Sequence, residues 1–300
     1  MSDLNDAPMV STFSIVGRDP KTEELGIAIQ SRFLAIGSIV PYIEWDVGAV
    51  ATQALINPTY GPSSLQLLKQ GKKPQEILDT LTALDSGAPL RQVGIVDAHG
   101  RSATFTGDKC IDWAGGMSGE NFAAQGNLLV NGETVEAMVK TFKEEEGSLA
   151  ERLLAALFAA EEAGGDRRGK QSASLLTFKK GGGYGGFTDK HIDLRVDDSD
   201  EPLNELSRLL DMFNLYYVKS DVEHTPLEGD TLLEVQQLLS DLGYYEGEVS
   251  CVFDEQFERA LLRFYHQEDF DKRYPGDKTI PRDILEYLRQ RVKIMGQSSR

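Results

Sequence analysis

The chain has 300 residues, 40% hydrophobic and 26% charged, and its 48 acids against 31 bases leave a net charge of −17. Acids outnumber bases both before and after residue 196, so both parts repel phosphate backbones and no nucleic-acid partner is expected. No apolar run approaches the ~20 residues of a membrane span, so no membrane partner is expected either.

Cys110 and Cys251 lie far apart without a CxxC partner, and the four histidines stand alone. Neither a disulfide framework nor a metal site is therefore expected, and no cofactor. The opening MSDLNDAPMVST has two acids, no basic cluster and no apolar stretch. It does not read as a secretory signal, which makes the cytoplasm the default location.

In chain order, TFSIVGR (12–18) and LGIAIQ (25–30) read as strands joined by the turn-rich Asp19-Pro20-Lys21-Thr22-Glu23-Glu24. VGAVATQALI (47–56) repeats their character, being apolar enough for a strand covered on both faces. Asn57-Pro58 marks a turn into an amphipathic helix over about 62–70, stopped by Gly71. Lys73-Pro74-Gln75-Glu76 opens another, with Ile77, Leu78, Leu81 and Leu84 on one face. RQVGIVDAHG, SATFTGD and DWAGGMSGENFAAQGNLL form a second strand set, with a hairpin turn at Asp97-Ala98-His99-Gly100. Helices over 133–145 and 148–162 follow, then the strand SASLLTFKK, a flexible GGGYGG turn and a last strand in HIDLRVDD. Strands alternating with helix pairs predict a layered α+β domain with sheet packed on sheet and helices outside. From Glu201 the pattern turns helical, in LNELSRLLDMFNLYY and LLEVQQLLSDLGYY. The expected layout is a sheet domain over 1–196, a linker with a helix over 197–229, and a small helical domain over 230–294.

Thr12 and Ser14 are two apart, so in a strand both face the same side. Thr suits β-structure on its own account. To act as a nucleophile, a threonine hydroxyl needs a positioned base, and a free α-amine on the same residue can serve, because its pKa near 8 leaves part of it neutral. Arg32 ends the second strand, where a permanent charge could hold a carboxylate. Gln53 and Asn127 carry amides that could donate to an oxyanion. Asn57 and Tyr60, chiefly turn chemistry, could line a cleft. In GGDRRGKQSAS, Asp166 could orient Arg167 onto an anionic group, while Ser172, Ala173 and Ser174 are small enough for something to pack against them. GGGYGG lacks the Lys-Ser/Thr of a phosphate-cradling loop.

The motifs TFSIVGRD, LGIAIQSRFLAIGSIVPY, VGAVATQALINPTYG, RQVGIVDAHG, AQGNLL and AGGDRRGKQSASLL, in that order over about 12–195, resemble the prokaryotic family known as domain of unknown function 1028. That family resembles the N-terminal-nucleophile hydrolases, which implies a four-layer αββα sandwich and metal-free hydrolysis of a C–N amide bond. The partner would be a small, carboxylated metabolite or a peptide. The resemblance implies Thr12 as the nucleophile and favours Arg32 and Asn127 beside it; with Gln53 they make the expected catalytic set, and Ser14, Asn57, Tyr60, Asp166 and Arg167 are the expected substrate contacts. Eleven residues precede Thr12, so its amine becomes free only if the Ser11–Thr12 bond is cut; otherwise another base serves or the site is silent. The rival expectation is a non-catalytic binding or assembly protein on the same scaffold. A homo-oligomer is expected only by analogy with other sheet-on-sheet domains.

The tail, with EVQQLL, GYYEG, FDEQFERALLRF and ILEYL in order over about 230–290, resembles a three-helix peptidoglycan-binding-type domain. That resemblance implies a peptidoglycan fragment as a further partner. Leu238, Leu239 and Leu242 should face inward, as should Ala260, Leu261 and Phe264, with Tyr244 and Tyr245 exposed.

Overall fold

The computed structural model describes residues 12–217 and 223–298. Two compact units divide between Leu209 and Leu210.

The first unit carries ten strands in two antiparallel sheets. Strands β1 (Thr12–Arg18), β2 (Leu25–Ser31), β7 (Gly115–Gly119), β8 (Phe122–Asn127), β9 (Ser172–Phe178) and β10 (Lys190–Val196) form a six-stranded sheet in the order β10-β9-β2-β1-β8-β7. Strands β3 (Pro41–Glu44), β4 (Gly48–Ala54), β5 (Arg91–Asp97) and β6 (Ser102–Thr106) form a four-stranded sheet in that order. Helices α1 (Tyr60–Lys69) and α2 (Pro74–Leu84) cover the outer face of the smaller sheet. There Tyr60, Leu68, Ile77 and Leu78 pack with Val50, Val93 and Ile95. Helices α3 (Glu133–Glu144) and α4 (Leu149–Glu162) lie against the larger one. Gly17 lets them approach, because a Cβ there would strike Phe142 of α3 and Leu153 of α4.

Side chains alternate across a strand, so β1 sends Gly17 and the residues of its parity to the helices and Thr12, Ser14 and Val16 into the space between the sheets. The mixed α/β expectation with several sheets holds. The small residues at 172–174 also find their cause. Ser172 Oγ donates to the Phe33 carbonyl and accepts from Ile36 N–H at 3.2 Å, and Gly37 sits so close to Ser174 that no Cβ would fit. They admit the loop after β2. Helix α5 (Pro202–Tyr217) runs through the division between units, burying Leu203 and Leu206.

The second unit is helical, built on α6 (Gly229–Asp241), α7 (Glu255–Gln267) and α8 (Arg282–Ser298). Leu232, Val235, Leu239, Phe257, Leu261, Phe264, Ile284 and Leu288 fill its core. Gly243, at φ 79°, ends α6 in the left-handed conformation that glycine adopts without cost. Beyond the three expected helices there is a short ladder of β11 (His224–Pro226) and β12 (Thr279–Pro281). Strands of three residues that each contain proline leave no alternation to read.

Candidate functional site

The space between the two sheets changes character along the strands. At one end Val16, Leu25, Ile27, Ile29, Ala49, Ala51, Val96 and Ala123 form an apolar cluster. At the other, the same strands bring in Thr12, Ser14, Ser31, Gln53, Gln92, Gln125 and Asn127, all with no exposed surface. Register explains the gathering. Thr12 lies directly between Ser31 of β2 and Asn127 of β8, and Gln53 of β4 pairs with Gln92 of β5 in the facing sheet.

Buried amides must find partners, and these do. Thr12 Oγ1 donates to Ser31 Oγ at 3.1 Å. Ser14 Oγ donates to Gln53 Oε1 at 2.6 Å and accepts from Gln125 Nε2 at 2.7 Å. Gln53 Nε2 donates to the Thr12 carbonyl at 3.1 Å and to Gln92 Oε1 at 2.8 Å, which also accepts from Asn127 Nδ2 at 3.0 Å. Gln92 Nε2 in turn reaches Thr106 Oγ1 at 2.9 Å and the Gly126 carbonyl at 2.8 Å. Gly94 makes room for this, since a Cβ there would land on the Gln125 carboxamide. Ala54 and Leu128, which directly follow Gln53 and Asn127, hold φ at 66° and 55°. Left-handed backbone is uncommon for residues other than glycine and clusters where function demands a fixed geometry.

The loop after α4 closes this end. Asp166, its carboxylate wholly buried, accepts Arg32 N–H at 3.1 Å and Arg168 N–H at 2.9 Å, and holds the Arg168 guanidinium at 3.5 Å. The aspartate thus orients Arg168 rather than Arg167, because the turn doubles back two residues on. Arg167 instead donates its guanidinium to the Asp112 carbonyl and its main-chain N–H to Leu128 O at 3.0 Å. Arg32 points its exposed guanidinium at Gln171 Oε1, 2.7 Å away.

Asn57 and Tyr60 go elsewhere. Both bond Asp85 Oδ2, at 3.2 and 3.1 Å, beside the buried Arg91–Asp85 ion pair at 2.9 Å. This cluster lies on the helix-covered side of the small sheet, and none of its hydrogen bonds reaches the Thr12 group. Burial pushes the Asp85 carboxyl up, but hydrogen bonds from Arg91, Gly87 N–H and Asn57, together with the Arg91 charge, outweigh it and lower the pKa to about 2. Burial, then the bond to Asp85, raises the Tyr60 phenol well above its usual range.

Four members of this end were not among the expected site residues: Ser31, Gln92, Gln125 and Arg168. Parity is the signal that finds three of them. A glutamine or serine at an inward position of an otherwise apolar strand is out of place in a purely structural core.

In the second unit a groove of about 310 Å³ is lined by Tyr244, Tyr245, Glu246, Gln256, Arg259, Ala260 and Arg263. The tyrosines are not exposed as expected. Tyr245 is only 3% exposed and donates to the Glu248 carbonyl, and Tyr244 stacks edge-on against Phe264. Burial, then its bond to Glu268, raises the Tyr244 phenol to about 12. Among the described residues no cluster of His, Cys, Asp or Glu could hold a metal ion, and no helix is long and apolar enough to cross a membrane.

A two-sheet sandwich between helix pairs, polar at one end of its interior, thus precedes a small helical unit. The chain belongs to the family of unknown function DUF1028, whose model matches residues 12–206. Residues 216–288 match the family described as "Putative peptidoglycan binding domain". Among solved structures the chain is similar to a DUF1028-family protein from Silicibacter pomeroyi, at 29% identity and a TM-score of 0.63. That similarity covers 74% of this chain and 92% of that one. No curated protein matches it.

Proposed function

We propose that the first unit hydrolyses a C–N amide bond in a small, carboxylated metabolite or peptide, with Thr12 as nucleophile. One observation carries this reading. Thr12 is the first residue of β1 and the first residue of the family match, and its hydroxyl enters the buried polar end between Ser31 and Asn127. With its α-amine free, Thr12 would transfer its hydroxyl proton to that nitrogen and attack the carbonyl. The tetrahedral oxyanion would take a hydrogen bond from Asn127, and the amine would return the proton to the leaving nitrogen, giving an ester that water then cleaves. Gln53 has a supporting part here, since its amide N–H groups hold Thr12 O and Gln92 in place and also reach Gln125 O. Arg32 and Arg167 would anchor substrate charge. The Ser11–Thr12 bond and its cleavage lie outside the described residues.

Intact mass spectrometry and a panel of small amides test the reading together. A species beginning at Thr12, with turnover that Thr12→Ala lowers at least a thousandfold while circular dichroism stays unchanged, is the expected result. Undiminished turnover in Thr12→Ala would remove the nucleophile.

The complete burial of Thr12, with the Gln53 amide fully engaged, favours a second reading: a non-catalytic binding or assembly protein, recognising peptidoglycan-like glycan through residues 216–288. Full-length mass, no turnover and retention of the full chain on insoluble peptidoglycan would select it.

A further inference from the structure

We propose that the substrate of the Thr12 site is a dianion, with one carboxylate on each side of the scissile amide, held separately by Arg32 and Arg167. The proposal rests on the hydrolytic reading and narrows its substrate class.

The first observation is charge pairing. In so acidic a chain, eleven of the fifteen described arginines lie within 4.0 Å of a carboxylate. The four without one are Arg18, which bonds Asn121, Arg263, which bonds the Tyr244 carbonyl, and Arg32 and Arg167. Two of the four therefore sit at the Thr12 end. Each is steered by a neutral oxygen, Gln171 Oε1 for Arg32 and the Asp112 carbonyl for Arg167, which fixes direction without cancelling charge. Asp166, the acid next to Arg167 in the chain, spends both oxygens on the main chain and on Arg168.

The second observation is placement. Arg32 follows Ser31 at the end of β2, and Arg167 is tied to Leu128 just past the end of β8. Strand β1 runs between them, so they flank Thr12 from opposite sides, about 10 Å apart at two strand spacings. Their side chains diverge further, Arg32 toward Gln171 beside β9 and Arg167 toward Asp112 on the approach to β7. The two oxygens of one carboxylate cannot bridge that gap, whereas an amide with an acid on both its acyl and its amine halves can.

Isothermal titration of the full chain with N-succinylglycine, N-acetylglycine and succinamate tests this, with glycine release read in the same samples. N-succinylglycine, acidic on both sides, should bind at least tenfold more tightly than either monoacid. Arg32→Gln should reduce it to the affinity of one monoacid and Arg167→Gln to that of the other. The proposal is overturned if the diacid binds no better than the better monoacid, if each variant weakens both monoacids alike, or if none of the three binds. Diacid preference without glycine release would keep the two subsites and sink hydrolysis. Turnover of amides without diacid preference would do the reverse.

Discussion

The two ends of the space between the sheets are made by the same strands, yet they obey different rules. Going along β2 the inward residues run Leu25, Ile27, Ile29, Ser31; along β4, Ala49, Ala51, Gln53; along β8, Ala123, Gln125, Asn127. The apolar end is stabilised by removing surface from water, roughly 25 cal/mol per Å². The polar end gains little that way, because every carboxamide must be desolvated before it is paired, and a paired hydrogen bond returns only about 1 kcal/mol. A core selected for stability alone would have continued the isoleucines. The break in pattern therefore sets this end apart from the packing core, and it does so without reference to any charged residue.

Removing bulk from the apolar end should have the largest effect. Ile29→Ala deletes a fully buried side chain from a packed cluster and should destabilise the first unit by about 4 kcal/mol, read as a fall in the denaturant midpoint at unchanged slope. The outer face of the small sheet ranks next. Asp85→Asn leaves the buried Arg91 guanidinium without its counter-charge and should cost about 3 kcal/mol at neutral pH. Its pH dependence has a definite sign. The Asp85 pKa is lowered from 3.8 to about 2 in the folded chain, so its stabilisation is fully present above about pH 4 and disappears as pH falls to 2. The gap between wild type and Asp85→Asn should accordingly narrow across that window and stay constant above it. A gap that widened on acidification would contradict the assigned ion pair.

Much of this was legible in the residues. Strands at 12–18 and 25–30 and helices at 133–145 and 148–162 appear within a residue or two of their expected ends, because period-2 and period-3.6 patterns are local. The meeting of Gln53, Gln92 and Gln125 is not local: it depends on which strands face each other across the sandwich, and nothing within one strand specifies that. Tyr60 illustrates the converse. Its place after the Asn57-Pro58 turn suggested a cleft, but the helix that begins there turns the phenol toward Asp85. Arg168 was hidden because Asp166 selects it through a turn geometry that three successive charged residues cannot reveal.

The smallest effect expected belongs to the polar end itself. Gln53→Leu replaces an amide by an apolar side chain of similar volume, at a position with no exposed surface. If that end behaved like the other, the change would stabilise. Two of its partners keep a second bond, since Ser14 Oγ still accepts from Gln125 and Gln92 Oε1 still accepts from Asn127. The Ser14 hydroxyl loses its acceptor and the Thr12 carbonyl loses the Gln53 donor. The leucine's own burial offsets part of that, so the net loss should be about 2 kcal/mol. Because only neutral groups are involved, this loss should be the same at pH 3 and pH 8, unlike that of Asp85→Asn. Chemical denaturation at both pH values distinguishes the two, and a stabilised Gln53→Leu would mean that the polar end is no more than a poorly packed continuation of the core.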